Sequence, residues 1–183
     1  DRYGFPLGLH SFEGNKAETK TILPVIEAFQ MQHNLGKLTI VADAAMLSST
    51  NLNALTEAGH TYVVGSRLRK IPYEIEEYKK DHEFEDGQIV VSHYEGYRVI
   101  YQYRSKRAAL DIRNIQKQLE KAKKIVEGKT QPRKNKFISL KSPIKEVNQA
   151  LVDKAYRLAG IKGYVTNLKI SDKDVIAFYH QLY

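Results

Sequence analysis

Residues 37–46, KLTIVADAAM, constrain this chain more than any other stretch: an apolar, β-branched run that stops abruptly on one carboxylate, Asp43. Such a run suits a strand buried on both faces, in the interior of a mixed or parallel sheet. Ligands and chemistry in α/β sheets collect at the carboxyl ends of strands, which makes Asp43 the first candidate for a working residue. With the polar stretch SSTNLNAL close behind it, an aspartate there also suits a turn or helix cap with no chemistry attached.

The flanking pattern alternates between two periods. Gly14-Asn15 breaks an extended opening, and residues 16–34 read as a helix, with Ile22, Val25, Ile26 and Phe29 at helical spacing, Pro24 near the first turns and Gly36 as the stop. Beyond Asp43, residues 49–58 read as a short helix closed by Gly59, and TYVVGS (61–66) as a second buried strand. This β-α-β-α-β alternation predicts an α/β core.

The next region changes character. PYEIEEYKKDHEFEDG (72–87) holds seven acids and two lysines, the pattern of a solvated acidic helix and turn that could also pair with a basic surface of another molecule. QIVVSHYEGYRVIYQYR then predicts a hairpin turning at Glu95-Gly96, and it reads as an insertion. Its tyrosines 94, 97, 101 and 103 suit cross-strand packing better than stacking on bases. Residues 105–128 predict the longest helix, with Ala108, Ile112, Ile115, Leu119, Ala122 and Val126 as its apolar stripe. Lys106, Arg113, Lys117, Lys121 and Lys124 fall opposite, within a sector of about 80° at the α-helical repeat.

Charge follows this division. Residues 98–145 carry fifteen Lys and Arg against three acids, a local net of +12, so the rest of a chain whose total is +8 stands at −4. Lys129, Arg133, Lys134 and Lys136 extend the cationic face into the following loop, offering a path for a phosphate backbone; a plainly solvated helix face is the competing reading. Residues 144–159 predict another helix closed by Gly160, residues 162–168 a strand, and Ser171 with Asp174 the capped start of a last helix through Val175, Phe178, Tyr179 and Leu182.

Length and composition set outer limits. A chain of 183 residues with 42% apolar content suits one substantial core, or one core with an inserted subdomain. No run is long and apolar enough for a membrane helix, and DRYGFPLGLH lacks a secretory pattern, so a cytoplasmic protein without membrane contact is expected. The absence of cysteine excludes disulfides and thiolate chemistry, and the six histidines show no ligand spacing. Asp1 stands in mid-pattern and no stop signal follows the last helix, so the chain is expected to be a piece of a longer polypeptide.

Five stretches in order, FEGNKAET (12–19), TIVADAAML (39–47), YVVGSRL (62–68), GIKGYVTNL (160–168) and DVIAFYHQLY (174–183), resemble DDE transposases of bacterial insertion sequences, in the group with a Tyr-Arg-Glu-Lys signature. The resemblance implies an RNase H-like mixed sheet with flanking helices and an inserted β-hairpin plus long basic helix. Residues 1–70 would be the first part of the core, 71–143 the insertion, and 144–183 the return to the core, cut before the catalytic glutamate. Asp43 matches the second acid of the triad and would be both catalytic residue and metal ligand; the first would lie upstream of residue 1. Tyr179 matches the signature tyrosine, whose glutamate would fall three residues past Tyr183, and Leu182 stands where the signature has arginine. Asn15 and Glu18 match the family's Gly-Asn-x-x-Glu stretch, and Thr166 and Asn167 its Thr-Asn, as near-site or turn-and-cap residues.

The activity implied is metal-dependent cleavage and transfer of DNA strands. Two Mg²⁺ or Mn²⁺ ions are expected in the full-length protein and none tightly bound to this piece, which is expected to be inactive. Transposon-end and target DNA and a second copy in the synaptic complex are the implied partners, in the bacterial cytoplasm. Two alternatives remain: a non-catalytic nucleic-acid-binding module using helix 105–128 and the loop to 136, and another RNase H-like nuclease.

Overall fold

The sheet is organised by a parallel pair. Strand β1 (Thr39–Ala42) runs beside β2 (Thr61–Ser66) in a register that sets Thr39 opposite Thr61 and Ala42 opposite Val64. Among the described residues they form, with β3 (Ile89–Tyr94), β4 (Tyr97–Tyr103) and β5 (Ile161–Thr166), one five-stranded mixed sheet in the order β1-β2-β5-β4-β3. Six α-helices accompany it among those residues: α1 (Ile22–His33), α2 (Ser49–Glu57), α3 (Tyr73–Asp81), α4 (Ser105–Val126), α5 (Gln149–Leu158) and α6 (Asp172–His180). A computed structural model of the chain describes residues 5–15, 17–44, 48–131, 134–138 and 146–181.

The α/β class expected from the alternation holds, but residues 5–13, read as its extended opening, form no strand, and the sheet itself differs in two ways. The hairpin β3–β4 supplies strands of the same sheet as β1 and β2. And β1, expected to be buried on both faces, stands first in the strand order: Ile40 and Ala42 are buried, Val41 is half-buried and Thr39 is exposed. Of the parallel pair it is β2 that lies inside the sheet, flanked by β1 and β5, and its Tyr62, Val63, Val64 and Gly65 are all buried.

The chain divides into two compact units. The first comprises Asp1–Ser66, Tyr94–Arg98 and Tyr164–Tyr183. Its core gathers Ile26 from α1, Ile40 and Ala42 from β1, Leu55 from α2, and Tyr62 and Val64 from β2. Burying each large aliphatic side chain of this kind contributes about 1.5–3 kcal/mol. Helix α1 is shorter than the expected 16–34. A 3₁₀ turn at Glu18–Lys20 precedes it, and the stop is Asn34 rather than Gly36. Asn34 takes the left-handed conformation (φ 50°) and Leu35 N–H returns to the Gln30 carbonyl, a closure that asparagine enters at little steric cost. Helix α6 begins as its capping pattern predicts, with Ser171 Oγ accepting from the Asp174 N–H, and packs on β1 and β2. Its inner face is Val175, Ile176 and Tyr179; Phe178, expected inside, is exposed, and Leu182 lies outside the described residues.

The second unit comprises Arg67–His93 and Val99–Gly163. Helices α4 and α5 pack together over Ile115, Ala122, Ile125, Phe137, Val152 and Ala155. The buried face of α4 departs from the expected stripe: Ile112 and Val126 are exposed, and Ile125 is buried in the cluster shared with α5. Helix α5 starts at Gln149, later than the expected residue 144; residues 144 and 145 lie outside the described residues, and Val147 bridges Ile138. Asn148 marks the start because its side-chain oxygen accepts the Leu151 N–H.

Candidate functional site

The register of the parallel pair decides what stands beside Asp43. One step beyond Ala42 and Val64 comes Asp43 on one chain segment and Gly65 on the other, at the carboxyl ends of both strands. Asp43 is exposed, and its Oδ1 accepts hydrogen bonds from the Ala44 N–H at 2.7 Å and from the hydroxyl of Tyr179 at 3.0 Å. The first bond is local, to the next residue in the chain; the helix that follows is capped not by Asp43 but by Ser48, whose Oγ accepts the Asn51 N–H. The second comes from α6, 136 positions further along the chain.

Tyr179 is fully buried. Its ring meets Tyr164 of β5 edge-on, with centroids 5.0 Å apart, a geometry that aromatic quadrupoles favour. Ring packing therefore holds the body of the side chain while the hydroxyl emerges at Asp43. Space for that hydroxyl exists because residue 65 is glycine: a Cβ there would stand 2.9 Å from Tyr179 Oη and 3.3 Å from the Ala44 nitrogen. Gly65 was not singled out in the sequence, although a glycine inside an apolar strand is a recognised signal of close approach.

Thr166 and Asn167, the other near-site candidates of this unit, are engaged with the backbone of β2. The buried Thr166 Oγ1 donates to the Tyr62 carbonyl at 2.7 Å and accepts from the Leu168 N–H. Asn167 accepts the Tyr62 N–H at 2.9 Å and donates to the His60 carbonyl at 3.0 Å. These bonds hold the end of β5 against the start of β2. Tyr62 itself has its pKa raised, chiefly by burial. Asn15 sits in an exposed turn with Gly14, and the side chain of Glu18 lies outside the described residues.

The cationic candidates belong to the second unit. Lys106, Arg113, Lys117, Lys121 and Lys124 are all exposed on α4. The helix has no side-chain cap of its own at Arg104; Asp86 serves instead, its Oδ1 accepting the Ser105 N–H at 2.7 Å, and that bond is the first cause of its lowered pKa. At the other end of α4, Lys121, Lys124 and Lys134 line a groove of about 580 Å³ floored by Ile125 and bordered by Thr130, Gln131 and Asn135. Asn135 keeps that border in place by donating to the Gln118 carbonyl and accepting the Phe137 N–H. Lys129 is paired with Glu127 at 2.7 Å, which raises its pKa, and Lys136 lies over the Phe137 ring. Arg133 lies outside the described residues.

Among the described residues no group of three or more His, Asp or Glu side chains is placed to hold a metal ion, and no helix is long and apolar enough to cross a membrane. Comparison of the chain with protein-family models, with curated proteins and with solved structures finds no match.

Proposed function

We propose that this chain is part of the catalytic domain of a DDE transposase with an RNase H-like core, and that Asp43 is one of its metal-binding acids. The observation that carries this reading is the meeting of Asp43 with Tyr179. Two of the five stretches that resemble the family, far apart in the chain, converge at the carboxyl end of a parallel strand pair, where α/β sheets collect chemistry.

The donor type fits the implied metal. A hard divalent cation such as Mg²⁺ or Mn²⁺ takes carboxylate oxygens, and Asp43 presents an exposed carboxylate just beyond the end of β1. One carboxylate is too few for a two-ion site, so the remaining acids belong, in this reading, to the whole protein, and this piece alone cleaves and joins no strands. The bound ions would activate the attacking oxygen and stabilise the leaving oxygen of an in-line phosphoryl transfer. The chain's own contributions are to hold the Asp43 carboxylate and to bind the phosphate backbone along α4, with transposon-end and target DNA as partners and a second copy in the synaptic complex.

The test uses the full-length protein. Asp43→Asn, which keeps the size of the side chain and removes its charge, is expected to abolish strand transfer with Mg²⁺ or Mn²⁺ while leaving DNA affinity intact. Retention of strand transfer by that variant would sink the assignment.

A second reading, a non-catalytic nucleic-acid-binding module, is favoured by the exposed cationic face of α4 and its groove of Lys121, Lys124 and Lys134. It gives the Asp43–Tyr179 contact no role in function. Under it, Asp43→Asn has no consequence beyond stability.

A further inference from the structure

The glycine at position 65 is needed for space rather than for backbone freedom. Gly65 lies inside β2, in ordinary extended backbone rather than the left-handed region, so the conformation itself admits any residue. What excludes a side chain is the approach of Tyr179 Oη to 2.9 Å of the Cβ position, and behind it the Ala44 nitrogen at 3.3 Å and the Ala44 Cβ at 3.4 Å. The atoms crowding this one point are the donors to Asp43: the Tyr179 hydroxyl and the Ala44 amide both bond the same oxygen, Oδ1.

We propose that Gly65, Tyr179 and Asp43 act as one unit, in which Tyr179 is the positioning residue that sets the Asp43 carboxylate and Gly65 is the opening through which its hydroxyl reaches. A hydrogen bond from the hydroxyl of a buried, ring-packed tyrosine restrains rotation of the Asp43 carboxylate about its own side-chain bonds, because the tyrosine cannot follow it. A metal ligand gains from such orientation, since the outer partner of a ligand sets the direction in which its oxygens point. The inference rests on the reading of Asp43 as a metal ligand for its consequence, and on geometry alone for its structural content.

Three substitutions separate these levels. Tyr179→Phe removes the hydroxyl and keeps the ring on Tyr164; in the 183-residue chain it is expected to raise hydrogen exchange at the Ala44 amide by about tenfold, the size of change that loss of one supporting bond produces, with the exchange of β2 amides unchanged. Gly65→Ala is expected to lower the melting temperature and to produce the same rise at Ala44, because the added methyl displaces the hydroxyl. The double variant is expected to recover much of that loss, since removing the hydroxyl vacates the space the methyl needs. Strictly additive losses in the double variant, or an Ala44 amide indifferent to Tyr179→Phe, would overturn the unit.

In the full-length protein Tyr179→Phe is expected to lower the rate of strand transfer about tenfold or more and to raise the Mg²⁺ concentration needed for half-maximal rate, a metal dependence that a purely structural role would not move. An unchanged metal dependence overturns the positioning role even if the geometry stands. If Asp43→Asn retains activity while the double-variant recovery is seen, the reading of Asp43 fails and the unit survives as structure. If Asp43→Asn is inactive and the recovery is absent, the unit fails alone.

Discussion

Arg98 and Asp172 form an ion pair of 2.9 Å that ties the start of β4 to the first turn of α6. The guanidinium also donates to the carbonyls of Leu168 and Ile170, so one side chain that is 16% exposed engages the turn leading into α6 at three points. Since α6 carries Tyr179 to Asp43, this clamp sits upstream of the candidate site in a mechanical sense.

Removing the clamp is the first prediction. Arg98→Ala leaves two carbonyls and a half-buried carboxylate without their donor, and is expected to cost about 2 kcal/mol, the scale of charge-assisted bonds in a partly solvated setting. Arg98→Lys is expected to recover only part, because an ammonium cannot present the planar fork that reaches all three acceptors. Urea unfolding of the three proteins checks this; equal stability of the alanine and parent proteins would mean the turn is held by other contacts.

Asn167 is expected to be structural. Asn167→Ala strips the Tyr62 amide and the His60 carbonyl of their partners, and the expected cost is about 2 kcal/mol. The accompanying signature is faster exchange at the Tyr62 amide. A loss under about 0.5 kcal/mol would show that water replaces the side chain without penalty.

Acid should loosen the start of α4. The pKa of Asp86 is lowered, first by the Ser105 N–H and then by Arg104 and Lys106, against desolvation, which raises it. A carboxylate whose folded pKa is depressed contributes stability that is complete above its ordinary value of 3.8 and is lost as pH falls through the depressed folded value. Amide exchange in the first turn of α4, expressed relative to the intrinsic rate at each pH and followed from neutral pH to below 3.8, is therefore expected to rise on acidification in the parent. In Asp86→Asn it should be raised already at neutral pH and respond less to acid. Coincident profiles for the two proteins would remove Asp86 from the cap.

The cationic face of α4 predicts a salt dependence. Each phosphate contact contributes about 0.9 to the slope of log affinity against log salt on duplex DNA, so reversing charge at Arg113, Lys117, Lys121 and Lys124 is expected to reduce that slope by about 3–4. Fluorescence anisotropy titrations at several salt concentrations measure it. An unchanged slope would mean that the face is merely solvated.

Local sequence carried a good part of this fold. The strand 61–66 and the hairpin turn at Glu95-Gly96 appear where the pattern places them, Gly96 with the positive φ of 81° that the tight turn requires, and Ser171 caps α6 as its spacing predicts. These features depend on neighbours a few residues away, which is the range over which periodicity and capping chemistry act. The misplacements lie elsewhere. Ile112, Val126 and Phe178 match a helical stripe as well as any residue and are nevertheless exposed, because which part of a helix is covered depends on the partner that packs on it.

Asp43 as the polar end of an apolar strand, Tyr179 on a helix and Gly65 within a strand are each readable from a short window of residues. Their meeting is not, because it follows from a parallel register and from the seating of α6 on β1 and β2, from which it is separated by more than a hundred positions. By itself the sequence determined the α/β class, the concentration of positive charge in one region and the carboxylate at the end of β1, all of them products of local pattern and composition. Only the tertiary structure decided that a buried tyrosine reaches that carboxylate through the space left by a glycine, because close packing, not periodicity, determines which distant side chains share a point in space.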